Sequence, residues 1–363
     1  MDKTSVLIVD DSAFMRKLIS DFLSEHPLIE VAGTARNGED ALKKIEKLDP
    51  DVITLDVEMP VMDGLETLKR IMDLYPRPVI MLSSTTQKGA ENTMLSLEMG
   101  AIDFIPKPSG SISLDLHMIK EEMKQKVLQA KSVKVRIFAP EIDKNKLPNI
   151  GIYSKIALNK KNNPILTGDH LKFPKIVCIG TSTGGPRALQ KVLTSLPKEI
   201  EAPLFIVQHM PKGFTQSLAL RLNHLSKITV KEAENGEEAQ IGTAYIAPGG
   251  SHMKIGKNGR ALKIELDQSP PISSHRPSVD VMFHSLSGLE SYHKIAVIMT
   301  GMGSDGTEGL VELKKSGNTH AIAESQATSA VFGMPKSAIS TSLVDSVEDI
   351  DKIAESIMYF IRS

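Results

Sequence analysis

Three residues in the second half of the chain have side chains suited to acyl transfer. Ser182 lies in Gly180-Thr181-Ser182-Thr183-Gly184-Gly185-Pro186, directly after the apolar run Lys175-Ile176-Val177-Cys178-Ile179. A β-branched run that stops on a Gly-x-Ser-x-Gly turn and leads into a helical pattern exposes a serine hydroxyl near helix amides that stabilise negative charge. His209 ends Phe205-Ile206-Val207-Gln208-His209-Met210-Pro211. Asp305 closes a second glycine turn, Thr300-Gly301-Met302-Gly303-Ser304-Asp305-Gly306. A hydroxyl nucleophile needs a neutral imidazole to take its proton and a carboxylate to orient that imidazole. Three parallel strands ending on one side would supply all three groups. Each residue also has a plainer reading: Ser182 and Asp305 as helix caps, His209 as a satisfied strand-end histidine. The Gly/Ser/Thr turn also suits a nucleotide-phosphate loop, although the P-loop lysine is missing and no acidic ribose partner stands at the usual spacing. The order Ser, His, Asp differs from the Ser, acid, His of α/β-hydrolases, so the turn does not license that fold. No His-Glu-x-x-His or other paired metal-ligand spacing appears.

A second constellation occupies the first hundred residues. Asp10 and Asp11 follow one apolar run, Asp56 ends another, Ser83 ends a third, and Lys107 follows a fourth in Phe104-Ile105-Pro106-Lys107-Pro108. In a doubly wound sheet ligands collect at such strand ends. Three carboxylates drawn together make a hard-oxygen site for Mg²⁺. The ion would neutralise the cluster and let Asp56 attack a phosphoryl group, whose oxygens Lys107 would then pair.

The elements that must position these residues alternate strand and helix. Strands are expected at Val6–Val9, Val52–Leu55, Val79–Leu82 and Ile102–Ile105, with a weaker one at Ile29–Ala32, and helices between them. A second alternation runs from Pro174, with strands at Ile176–Ile179, Leu204–Gln208, Thr243–Ile246, Ile295–Met299 and His320–Ala323. The fold class is therefore α/β in two doubly wound domains. Asn258-Gly259 marks an antiparallel hairpin joining Met253–Ile255 to Leu262–Glu265. Periodicity fails between, so the domains are expected at 1–131 and 174–363 with a mildly basic linker at 132–173.

The 363 residues suffice for two cores, and a net charge of −1 gives no global pull toward nucleic acid or anionic lipid. No apolar run approaches the ~20 residues of a spanning helix, and no signal-peptide pattern opens the chain. The lone Cys178 suits a reducing cytoplasm and reads as a buried structural thiol. The expectation is a cytoplasmic protein with neither nucleic-acid partner nor membrane insertion.

Residues 1 to about 125 resemble a response-regulator receiver domain. Leu7-Ile8-Val9-Asp10-Asp11-Ser12, Asp56-Val57-Glu58-Met59-Pro60-Val61-Met62-Asp63-Gly64 and Asp103–Pro108 carry the resemblance. It implies phosphorylation of Asp56 by a chemotaxis histidine kinase. It also implies Mg²⁺ held by Asp11, Asp56 and the carbonyl of Glu58 with help from Asp10, and Ser83 as a switch hydroxyl. Residues 174–363 resemble the catalytic domain of the chemotaxis-specific protein-glutamate methylesterase family, also glutamine deamidases. Here the motifs are Gly180–Pro186, Gln208-His209-Met210-Pro211, Ala247-Pro248-Gly249-Gly250-Ser251-His252, His275-Arg276-Pro277-Ser278-Val279-Asp280 and Thr300–Gly306. The resemblance implies Ser182 as nucleophile, His209 as general base and then acid, and Asp305 as orienting carboxylate. Methyl-accepting chemotaxis receptors would be the substrates, with no cofactor for hydrolysis. Amides near Thr183 and Met302 would form the oxyanion hole, and His275 with Arg276 would border the cleft. The competing class is a phosphorylation-controlled binding module whose second domain binds nucleotide or is inactive.

Overall fold

The computed structural model describes residues 2–107, 114–133, 174–259 and 261–363. The expected linker, its lysines included, lies outside them apart from 132 and 133, as does Pro108. In the first domain β1 (Thr4–Val9), β2 (Ile29–Ala35), β3 (Val52–Asp56), β4 (Val79–Ser83) and β5 (Asp103–Pro106) alternate with α1 (Ala13–Ser24), α2 (Gly38–Leu48), α3 (Gly64–Leu74), α4 (Gln87–Met99) and α5 (Leu114–Ala130). Four helices start on a side-chain cap: Ser12, Asn37, Asp63 and Thr86 each accept from the amide three residues on. The strands pair in parallel in the order β2-β1-β3-β4-β5. The order reverses between β1 and β3, which opens a crevice at the ends bearing Asp10, Asp11 and Asp56. β2 runs three residues past its expected end. A register shift opposite Val6 and Leu7 breaks its alternation and hides it from a period-2 reading.

The second domain is built on β6 (Lys175–Thr181), β7 (Leu204–Gln208), β8 (Thr229–Glu232), β9 (Thr243–Ile246), β12 (His293–Ile298), β13 (Thr319–Glu324) and β14 (Ser346–Glu348). These pair in parallel in the order β14-β13-β12-β6-β7-β9-β8. The expected hairpin is present as β10 (His252–Asn258) against β11 (Ala261–Asp267). Its helices are α6 (Gly185–Ser195), α7 (Phe214–Leu225), α8 (Val279–Ser287), α9 (Thr307–Lys315), α10 (Met334–Ser340) and α11 (Ile350–Arg362). Side chains of the central strands alternate between faces. Val177, Ile179, Leu204, Ile206, Ile295 and Val297 are buried with residues of α6, α7 and α11. Ile176, Cys178, Phe205, Val207, Ala296 and Ile298 are buried with residues of α8, α9 and the hairpin. Burial pushes the Cys178 thiol far up, which makes it chemically quiet.

The two domains touch. Helix α4 lies against α7 and α6, and Phe104 meets Phe214 with ring centroids 4.5 Å apart. Arg221 forks onto Glu98 through Nε (2.5 Å) and a terminal nitrogen (2.7 Å). No helix among the described residues is long and apolar enough to cross a membrane.

Candidate active site

Three neighbouring strands, β12, β6 and β7, bring Ser182, His209 and Asp305 together. Ile298 pairs with Gly180 and Thr181 with Gln208, so Ser182 and His209 each stand one residue beyond paired strand ends. The ladder continues past the strands: Met299 N donates to Gly180 O, Ser182 N to Thr300 O, and His209 N to Thr181 O, at 3.0, 3.0 and 3.1 Å. His209 Nε2 lies 2.6 Å from Asp305 Oδ2. Asp305 also accepts from Val279 N (2.7 Å), Ser278 Oγ (2.8 Å) and Asp280 N (3.1 Å). It therefore sits at the N-terminus of α8, where the helix dipole favours negative charge. Burial opposes ionisation of Asp305, but the His209 bond and those amides outweigh it and hold the carboxyl well below the usual range. Asp280 stands beside it, and burial together with the Asp305 charge, against the pull of Gly309 N–H, lifts its carboxyl to about 7.

With Nε2 engaged as donor to Asp305, His209 Nδ1 keeps its lone pair, and this buried atom has no partner. The cap readings of Ser182 and Asp305 do not hold. Gly184 and Gly306 occupy the N-cap positions of α6 and α9, with no side-chain cap on either helix. Gly184 has φ 78°, which an L side chain adopts at a cost. A Cβ on Gly185 would stand 2.0 Å from Gln208 Oε1. The turn bearing Ser182 thus favours glycine at both positions. The N–H groups of Thr183 and Met302 carry no hydrogen bond among the described residues, so both amides remain available to an oxyanion.

Several contacts of the site have no counterpart in the sequence reading. The Gln208 amide donates to both Ser182 O and His209 O at 3.0 Å, tying the two turns together. Thr300 is a hub: its carbonyl receives Ser182 N and Thr181 Oγ1, and its hydroxyl donates to Thr183 O. Its own N–H donates to Glu324 Oε2 at 2.8 Å. Burial, against the hydrogen bonds from Thr300 and Thr328, lifts Glu324 to about 7. Ser278 stands in the motif His275-Arg276-Pro277-Ser278-Val279-Asp280, but its bond to Asp305 is not written in that spacing. The expected cleft-border pair separates. His275 lies against His209, whereas the Arg276 guanidinium is spent on the carbonyls of Gln268 and Ser269 at 2.9 and 3.1 Å.

The acidic constellation also assembles. Carboxylate oxygens of Asp10, Asp11 and Asp56 lie within 4.8 Å of one another, the first and last buried. Lys107 Nζ is 2.9 Å from Asp10 Oδ2 and 2.7 Å from Asp56 Oδ2. Burial, aided by Asp10 and opposed by Lys107, lifts Asp56 to about 6. One ammonium among three carboxylates leaves negative charge uncompensated, and an all-oxygen donor set fits a divalent cation. Glu58 N donates to Asp56 Oδ1 at 3.3 Å, which places that turn beside the cluster. Ser83 is buried and turned toward α4, where its hydroxyl meets Gly89 O at 3.1 Å and accepts from Thr93 at 2.7 Å.

The domains meet at the first site. Asp103 Oδ2 accepts from the hydroxyl of Thr183, next to Ser182, at 2.6 Å. Asp103 also pairs with Lys126 at 3.1 Å.

Two family models match this chain. Residues 177–357 match the family described as CheB methylesterase, and residues 6–118 the response regulator receiver domain. A protein-glutamate methylesterase/protein-glutamine glutaminase of Geobacillus kaustophilus is 57% identical over 362 residues, 99% of each chain. Its counterpart in Bacillus subtilis is 55% identical over 361 residues, 97% of each chain. The crystal structure of the Thermotoga maritima CheB methylesterase catalytic domain is similar at 46% identity and a TM-score of 0.50, covering 51% of this chain and 98% of that one.

Proposed function

Since this chain belongs to the protein-glutamate methylesterase/protein-glutamine glutaminase family, with a receiver joined to a methylesterase domain, we propose that Ser182, His209 and Asp305 are its catalytic residues. The family places it as a receiver-regulated chemotaxis hydrolase, fed by a phosphodonor kinase and acting on chemoreceptors. The observation that carries the residue assignment is the His209–Asp305 pair at 2.6 Å, which leaves Nδ1 unpartnered beside the Ser182 turn.

Ser182 Oγ attacks the side-chain carbonyl carbon of a glutamyl methyl ester while His209 Nδ1 takes the hydroxyl proton. Asp305 holds the imidazole in this tautomer and stabilises the imidazolium. The carbonyl oxygen becomes an oxyanion that the amides of Thr183 and Met302 receive. As the tetrahedral centre collapses, the bond to methoxide breaks and His209 returns the proton, releasing methanol. Water, deprotonated by His209, then attacks the acyl-serine and regenerates the hydroxyl, leaving glutamate. With a glutamine side chain the leaving group is ammonia and the remaining steps are unchanged. Nothing in this route uses a cofactor. The nucleotide-binding alternative is not favoured, because the turn that would cradle phosphate is occupied by this arrangement.

In the receiver, Asp56 is the phosphoacceptor, and Asp10, Asp11 and the Glu58 carbonyl with Asp56 would hold Mg²⁺. When bound, the cation neutralises the carboxylates against an incoming phosphoryl group. Lys107 pairs with the phosphoryl oxygens and Ser83 leaves Gly89 and Thr93 to meet them. The domain limits follow as 1–131 and 174–363 with a linker between, and the chemistry belongs in the cytoplasm, where kinase and receptor helices meet it. Hydrolysis is tested by methanol release from methylated receptor membranes, with and without a small acyl-phosphate donor. Asp56→Asn is expected to abolish acid-labile, Mg²⁺-dependent phosphate incorporation. Stable label on that variant would place the acceptor elsewhere.

Restraint is steric in this reading: Asp103 of the receiver holds Thr183 in the turn bearing Ser182, while Phe104 and Glu98 anchor the receiver on α7 through Phe214 and Arg221. A tenfold activation needs only about 1.4 kcal/mol of differential stability. A buried bond to a carboxylate contributes roughly that much. Asp103→Ala is therefore expected to raise methanol release by the unphosphorylated chain about tenfold. Unchanged basal activity would sink the steric account.

A further inference from the structure

The rings of His209 and His275 lie parallel, with centroids 3.8 Å apart and planes within 9°. Aromatic pairs left to themselves prefer offset or edge-on geometry with centroids roughly 4.5 Å apart or more. Such close overlap must therefore be imposed by the chain that carries His275. That chain is well tied. His275 and Ile272 exchange backbone hydrogen bonds at 2.8 and 3.1 Å, and Arg276 O accepts from Gly250 N at 3.1 Å. The Arg276 guanidinium is fixed on two further carbonyls. Three residues beyond His275, the same segment turns into α8 and delivers Ser278 Oγ, Val279 N and Asp280 N to the Asp305 carboxylate. One stretch, 275–280, thus covers a face of His209 and also fixes the carboxylate on its edge.

The proton-carrying nitrogens of His209 lie in the plane of its ring, and a ring stacked on its face leaves both free. It does oppose rotation about χ2, which would take Nε2 off Asp305 and Nδ1 away from the serine turn. It also keeps water off that face. His275 is suited to this by being neutral: burial, then the neighbouring His209 and Lys126, push its pKa down to about 4 against the pull of Asp305. A neutral π-face tolerates the imidazolium that forms beside it when the serine proton is taken, whereas a second cation would repel it. We propose that His275 is a positioning residue for the general base, acting through its flat face rather than through its nitrogens. The inference rests on His209 being that base.

The test compares His275→Ala and His275→Phe in the full chain, activated by an acyl-phosphate donor and assayed as methanol release from methylated receptor membranes. Alanine removes the face and is expected to lower kcat about 10- to 100-fold, in line with the cost of a small misplacement of catalytic groups, with KM within about twofold. Phenylalanine restores a flat ring without acid–base chemistry and is expected to keep kcat within about threefold of the unsubstituted protein. A merely structural role would not produce this rescue together with an unchanged KM. The rate at which a serine-directed fluorophosphonate labels Ser182 should fall in parallel for the alanine variant, since that reaction needs the base but no receptor. Full activity of His275→Ala, a phenylalanine variant as slow as alanine, or a loss confined to KM would each overturn the proposal. Ser182→Ala is measured alongside. If it retains activity the serine reading itself fails; if it is silent while His275→Ala is fully active, only the stacking role fails. Thermal melting of each variant separates loss of fold from loss of rate, and should alanine prove unstable the phenylalanine variant still decides.

Discussion

Ser182→Ala is expected to reduce methanol release to the uncatalysed background, a loss on the order of 10⁶-fold by analogy with removing the serine of other triads. Its interpretation is clean for a structural reason. No hydrogen bond holds the Ser182 hydroxyl among the described residues. The turn is instead fixed through the backbone, by Ser182 N on Thr300 O and Gln208 Nε2 on Ser182 O. Deleting one oxygen therefore orphans nothing, and the melting temperature should stay within a few degrees. His209 replacements should be nearly as damaging and should not add to the serine loss, because the two act as a unit. Substantial methanol release by Ser182→Ala, with a normal melting curve, would show that the chemistry lies elsewhere.

Asp305→Asn is the second large effect, expected near 10⁴-fold in kcat. The mechanism is a tautomer error. All four groups on the carboxylate are donors: His209 Nε2 and Val279 N on Oδ2, Ser278 Oγ and Asp280 N on Oδ1. An asparagine amide must turn its NH₂ toward one of these pairs. Facing His209, it forces Nε2 to accept and puts the ring proton on Nδ1, where it can no longer receive the serine's. Facing Ser278 and Asp280, it sets N–H against a backbone N–H at the start of α8, at about 1–3 kcal/mol for the unmet donor. Stability should thus fall as well, unlike Ser182→Ala. Kinetics and melting measured on one preparation check both parts. A variant with unimpaired kcat would remove Asp305 from the mechanism.

Much of this was legible because strand ends are punctuated in the sequence. Asp10, Asp56, Ser182 and His209 each follow a β-branched run, and parallel order then places their side chains on one edge. Elements without that contrast stayed hidden. β8 reads Thr-Val-Lys-Glu and β14 Ser-Val-Glu; both are short edge strands whose polar residues resemble loop. α10 begins at Met334-Pro335, where proline suits a turn as well as a first helical turn. Side chains acting on distant backbone were illegible for a different reason. Glu324 meets Thr300 N and Gln208 meets Ser182 O only because β13 and β12, and β7 and β6, are sheet neighbours, and their spacing in the chain encodes neither contact. The His275 stack is of the same kind.

The strand order also has a consequence for synthesis. Ser182 and His209 are 27 residues apart in the sequence, but the carboxylate bonded to His209 arrives 96 residues after it, in the turn that follows β12, which docks on the opposite side of β6 from β7. Domains generally fold as units, N-terminal first, as the ribosome releases them. The receiver is therefore complete before the nucleophile turn emerges, and the turn and base wait for β12. On the roles and the steric cover proposed above, the nascent hydrolase passes through no stage at which it is active and uncovered: its guard is made first, and Asp305 comes from the final sixth of the polypeptide.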